Sequence, residues 1–92
     1  MNIEILNGGV SWAKDEPIEY DWLKVKVTGD GRDFVIELCI TDDSSRGSRV
    51  QYIEFRDKEN EKIAKKNKFK IEEHRSEILD SWDHYSNKKL RS

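Results

Sequence analysis

The segment from Tyr20 to Ile40 constrains the fold more than any other part of the chain. Leu23, Val25 and Val27 alternate with Trp22, Lys24 and Lys26; Gly29-Asp30-Gly31-Arg32 interrupts the pattern; and Phe34 to Ile40 follows as a nearly unbroken apolar run. Asp and Gly accept the positive φ angles that a tight two-residue turn demands, so the spacing predicts a β-hairpin with Asp30-Gly31 at its tip. That tip opposes Val27 to Phe34, Val25 to Ile36 and Leu23 to Leu38 on one face. On the other face it opposes Lys24 to Glu37, Lys26 to Val35 and Trp22 to Cys39. Apolar partners and a Lys–Glu pair emerge from one register together, and a slip by a single residue would destroy both.

The run Phe34 to Ile40 is apolar on both faces except at Glu37, which predicts a central strand. Residues Arg49 to Arg56 supply its second neighbour, after the polar loop Asp42 to Ser48. If Ile53 and Phe55 point to the core, Val50 and Tyr52 point to the opposite face. Upstream, Asn2 to Leu6 reads as a short edge strand ended by Asn7-Gly8-Gly9. Val10 to Ile18, with Trp12 and the single proline Pro17, reads as a connecting loop. Where that loop is extended, Val10 and Trp12 point the same way.

The last third reads as helix. With Ile71 set to zero and about 100° per residue, Ile78 falls near roughly 340°, Trp82 near 20° and Tyr85 near 320°. Glu73, Glu77, Asp80 and His84 gather on the opposite side. Continuing the helix upstream would leave Asn60 and Asn67 inside the apolar stripe, so a break is expected near Asn67 to Phe69, with Lys58 to Lys66 as a separate helical turn. The sum is an α+β fold: a three- to four-stranded antiparallel sheet over residues 2–56, and a helical segment over residues 58–88 with its C-terminal α-helix packed on one face. Residues 1–92 make a single domain.

Composition narrows the function classes. With 39% charged residues and a mean hydropathy of -0.92, no apolar run reaches the ~18 residues of a membrane-spanning helix. The N-terminus lacks the pattern of a secretory signal, and a cytoplasmic location is expected. A domain of this size buries only about 60 to 65% of its unfolded surface, too little to enclose a large substrate cavity. The single Cys39 has no internal disulfide partner and is expected to be a buried, reduced thiol. One Cys and two His without metal-ligand spacing predict no metal and no cofactor.

The run Ile71-Glu72-Glu73-His74-Arg75-Ser76-Glu77-Ile78-Leu79-Asp80-Ser81-Trp82 resembles the closing helix of a family of small uncharacterised bacterial α+β proteins. In that family an acidic residue and His precede an acidic-Leu-Leu run and then Trp, and the helix packs on a short antiparallel sheet. The family's His-rich N-terminal stretch is missing here, because both histidines lie in the helical third. The resemblance implies the architecture and a bacterial or mobile-element source, and it carries no activity.

Several constellations compete as sites. His74 lies at the margin of the apolar stripe, where it could act beside Glu73 or Glu77, or simply pack against the sheet. No nucleophile or cofactor motif converges on it, so no catalytic residue is assigned and no enzymatic activity is expected. Asp42-Asp43 with Ser44, Ser45 and Ser48 lacks the alternating carboxylates of a calcium loop and reads as a polar hairpin loop.

The net charge of -2 hides an uneven split. Residues 1–56 carry 7 basic and 11 acidic groups, whereas residues 57–92 carry 10 and 8. Lys62, Lys65, Lys66, Lys68 and Lys70 surround Phe69, and an exposed aromatic among lysines suits phosphate contacts with base stacking. The competing reading is a solvated hinge whose lysines balance nearby glutamates.

The most informative surface is the second face of the sheet. The register collects Tyr20, Trp22, Val35, Cys39, Val50 and Tyr52 there, while the chain supplies one helix and that helix covers one face. Aromatic residues beside Lys24, Lys26 and Glu37 match a protein interface, with an apolar centre and a charged rim. Alternatively, residues 10–18 fold across this face. The expected function is a non-enzymatic protein-interaction module, an accessory, inhibitor or immunity-type protein of a bacterial mobile element, whose partner is another protein or itself as a homodimer. The alternative is a nucleic-acid-associated factor using the lysine set.

Overall fold

A computed structural model describes residues 2–12, 19–29, 31–43 and 50–89. Four strands, β1 (Asn2–Trp12), β2 (Glu19–Gly29), β3 (Arg32–Asp43) and β4 (Val50–Phe55), form one antiparallel sheet in the order β1-β2-β3-β4. They are followed by α1 (Lys58–Lys66), a short 3-10 helix (Ile71–His74) and α2 (Arg75–Lys89). The fold is therefore α+β, with a C-terminal helix on a four-stranded sheet. No helix among the described residues is long and apolar enough to cross a membrane.

The β2–β3 register is the one the alternation dictates. Leu23 pairs with Leu38, Val25 with Ile36 and Val27 with Phe34, while Trp22 pairs with Cys39 and Lys24 with Glu37. Gly29 pairs with Arg32, and Gly31 takes a positive φ of 74° in the two-residue connection. Leu23, Val25, Val27, Ile36, Leu38 and Ile40 are buried against Ala64, Phe69, Ile78 and Trp82 of the helical layer. Each such aliphatic side chain contributes about 1.5 to 3 kcal/mol on burial. β4 carries Ile53 opposite Ile40 and Phe55 opposite Leu38, both packed on the core edge.

β1 corrects the expectation of a short strand ended by glycines. It runs through Asn7-Gly8-Gly9 to Trp12, pairing with β2 along its length, so residues 10–12 are sheet rather than loop. Residues 13–18, including Pro17, lie outside the described residues. The register shifts between Ile5 and Asn7, which leaves Leu6 as an extra residue. Without that bulge Asn7 would oppose Leu23 beneath the helix; with it, Gly8 does.

The exchange matters because a Cβ on Gly8 would stand 2.3 Å from Cζ3 of Trp82. Glycine is here a seat for an indole rather than a turn. Trp82 is fixed further by donating its ring N–H to the Asp21 carboxylate (3.0 Å) and by stacking on Tyr85, with centroids 5.7 Å apart.

The helical break falls where the stripe predicts it. Asn67 ends α1, Lys68 turns left-handed at φ 57°, and the Lys68 and Phe69 amides donate to the carbonyls of Lys65 and Ala64. This is a Schellman cap with lysine in the position that glycine usually holds, and it presses Phe69 onto Ala64. The final helical segment begins as a 3-10 turn at Ile71 and becomes α-helical at Arg75, whose guanidinium donates to the Gln51 carbonyl on β4. Ile78, Trp82 and Ser86 form the buried side of α2.

Asn60 looked out of place in an apolar stripe, and its position has a specific use. β4 pairs with β3 only as far as Phe55, so the ladder is incomplete at Glu37. There the Arg56 amide donates to the Glu37 carbonyl, while the Glu37 amide donates to Oδ1 of Asn60 at 2.8 Å. Asn60, 7% exposed, thus completes the ladder from the helix. Its own N–H (3.0 Å) and Nδ2 (2.7 Å) donate to Asp57, the N-cap of α1. These bonds from Asn60 hold the Asp57 carboxyl below the usual carboxylate range.

Asn60→Ala should cost about 1 to 3 kcal/mol by leaving the Glu37 amide without its partner, read as a lower urea midpoint at unchanged slope. Because the Asp57 pKa is depressed on folding, its contribution is fully present above the ordinary aspartate pKa. It is lost as pH falls through the depressed value. The same substitution removes the Nδ2 bond but keeps the larger backbone one, so it should flatten the acid limb of the stability profile only in part, and a steeper limb would contradict the arrangement.

Candidate functional site

The second face of the sheet is built by the strand positions that alternate with the core. Pairing places Gly9, Trp22, Cys39 and Glu54 in one row across the four strands. The adjoining row holds Tyr20, Thr41 and Tyr52, and Val50 follows on β4 opposite Asp43. Five of the six residues named from the sequence, Tyr20, Trp22, Cys39, Tyr52 and Val50, therefore lie toward one end of the face. Tyr52 is 51% exposed and Val50 40%.

Val35 does not join them. It pairs with Lys26, beyond the row of Lys24 and Glu37, and is 38% exposed. The surface therefore departs from the expected apolar centre with a charged rim. A charged row crosses it and isolates Val35.

That row is organised by Arg56, which reading the sequence for apolar residues passed over. Its Nη1 lies 2.9 Å from the Glu37 carboxylate, and its guanidinium carbon sits 5.6 Å from the centroid of the Trp22 ring. Glu37 lies opposite Lys24 as the register requires, and it also pairs with Arg56. The Trp22 indole also approaches Gly9, where a Cβ would lie 3.1 Å from Nε1. The half-buried indole is thus close to both the β1 backbone and the Arg56 guanidinium. The period of two through Tyr52 and Glu54 reaches Arg56, so strand parity carried past Phe55 was the available signal.

Cys39 is half-buried rather than fully buried, a free thiol beside Trp22. Partial burial pushes its pKa up; the Arg56 charge opposes that, and the carboxylates of Glu54 and Glu37 add to it. A raised pKa keeps the thiol protonated and makes it a weak nucleophile at neutral pH.

The lysine set stands differently from its sequence reading. Lys62, Lys65, Lys66, Lys68 and Lys70 are exposed, and Lys65 pairs with Glu61 at 3.1 Å. Phe69 is only 4% exposed, stacked on His74 with centroids 5.0 Å apart and edge-on to Phe34 at 5.9 Å. The Schellman cap turns it inward, so it offers no stacking surface to a base. His74 is half-buried in that stack, with Nδ1 3.9 Å from the Glu77 carboxylate. Among the described residues no group of His, Cys, Asp or Glu is arranged to hold a metal ion. The Ser44, Ser45 and Ser48 loop lies outside the described residues.

The chain matches no protein-family model, no curated protein and no solved structure.

With its pKa raised, Cys39 should react with iodoacetamide more slowly than a free cysteine at neutral pH, and its rate should climb only at higher pH. Arg56→Gln, which removes the charge that opposes the shift, should push this profile further up. A rate like that of a small-molecule thiol would contradict the burial argument.

Proposed function

We propose that the chain is a non-enzymatic protein-interaction module that binds through the aromatic end of its second sheet face. The observation that carries this reading is the half-buried Trp22 indole, close to Gly9 and Arg56 and sharing its sheet face with Cys39, Tyr20 and Tyr52. Rigid, half-exposed aromatics lose little entropy on burial and are the residues that anchor protein contacts. Both described α-helices and the 3-10 helix pack on the opposite face, which leaves the Trp22 side for a partner.

The partner is another protein or a second copy of this chain, and masking a partner's surface is how an inhibitor or immunity-type accessory protein of a mobile element would act. A cytoplasmic site of action fits a free, reduced thiol at the centre of the contact. A nucleic-acid role for Lys62, Lys65, Lys66, Lys68 and Lys70 is the weaker alternative, because Phe69 is withdrawn into the core.

Trp22→Asp combined with Tyr52→Asp should abolish self-association in solution, or capture of the partner from the source cell, with the thermal midpoint of the isolated domain little changed. Lys65→Glu with Lys66→Glu should leave both intact. The reverse pattern, association lost with the lysines and kept with the aspartates, would overturn the reading.

A further inference from the structure

Resting on that reading of the face, we infer that the partner is a second copy of this chain, packed face to face about a twofold axis that runs along the strands between β2 and β3. On the second face Trp22 stands beside Cys39, Lys24 beside Glu37 and Lys26 beside Val35. In each pair the longer side chain belongs to β2 and the shorter to β3, so β2 forms a ridge and β3 a shallow groove. A twofold axis along the strands keeps every row level and exchanges the two strands. It lays each ridge in the groove of the other copy, with Trp22 over Cys39, Lys24 over Glu37 and Lys26 over Val35 of the second copy. Val35, cut off from the aromatic end, thereby gains a use as the seat for a lysine stem.

Charge selects the same arrangement. Two Lys24–Glu37 contacts form between the copies, while each Glu37 keeps its own Arg56 guanidinium at 2.9 Å. Within the rows from Trp22 to Lys26, the cations Lys24, Lys26 and Arg56 are matched by Glu4, Glu37 and Glu54, so no net charge opposes the approach of a second copy. An axis across the strands would instead set ridge on ridge. Centred on the charged row, it would also set Lys24 on Lys24 and Glu37 on Glu37. The extent of the face suffices as well: four strands about 4.8 Å apart span about 19 Å, and over about 27 Å of strand the face offers roughly 500 Å² per copy. The pair reaches about 1,000 Å², the lower bound for a specific interface.

The whole chain should sediment as a dimer that dissociates on dilution. Lys24→Glu and Glu37→Lys should each raise the dissociation constant about a hundredfold, about tenfold for each of the two like-charge contacts created. Mixing these two variants should restore a dimer with one copy of each, because every replaced side chain then meets an opposite charge on the other copy. The like charges within each chain remain in the mixture, so a mere loss of folding stability would not be rescued. In this geometry the two Cys39 Cα atoms lie about 11 Å apart, beyond the ~7 Å reach of a disulfide, and mild oxidation should leave the dimer without a cross-link. A chain that stays monomeric at millimolar concentration overturns the second copy as occupant and leaves the same face to a foreign partner. A dimer indifferent to Trp22→Asp with Tyr52→Asp overturns the inference and the reading of the face together. Failure of the mixed variants to associate, or rapid cross-linking through Cys39, overturns the packing of β2 on β3.

Discussion

The register of β2 against β3 is the constraint on which the remaining structure depends. By opposing Leu23, Val25 and Val27 to Leu38, Ile36 and Phe34, it concentrates the aliphatic side chains of the two central strands on one side. That side has to be covered, and Ala64, Phe69, Ile78 and Trp82 cover it. The same register commits Trp22 and Cys39 to the other side, where no described helix reaches. One pairing choice thus creates both the core and the candidate contact surface.

Two non-local devices hold the helical layer in place. At one end Asn60 substitutes for the strand that β4 fails to supply, taking the Glu37 amide from a helix while its other groups satisfy the Asp57 cap. At the other, a bulge at Leu6 brings Gly8 beneath Trp82 so that the indole can lie close to the sheet. Each device makes a residue of low structural propensity indispensable: an amide in an apolar stripe and a glycine in a strand. Propensity arguments misplace such residues because their use is decided by partners far along the chain.

That difference explains what could be read in advance. The β2–β3 hairpin was legible because its turn, alternation and pair chemistry lie within about twenty consecutive residues and agree with one another. The parity of Val50, Tyr52, Ile53 and Phe55 followed from the same period. The length of β1 was not legible, since Gly8-Gly9 signals a turn unless the approach of Trp82 and Trp22 is known. Phe69 among lysines resembled an exposed aromatic; only the left-handed Lys68 turns it toward Ala64. Within the candidate site, five residues gathered as the register required. The row formed by Lys24, Glu37 and Arg56 that sets Val35 apart became evident only once Arg56 was placed over Trp22.

The central claim is that, among the described residues, the sheet is covered on one face and open on the other. Relaxation enhancement of methyl protons by a soluble, uncharged paramagnetic probe, measured on the dilute chain alone, tests this directly. The account predicts strong enhancement at Val35 and Val50 and little at Val25, Val27, Leu38 and Ile78. Equal protection of Val35 and Val25 would contradict it, because both faces would then be closed.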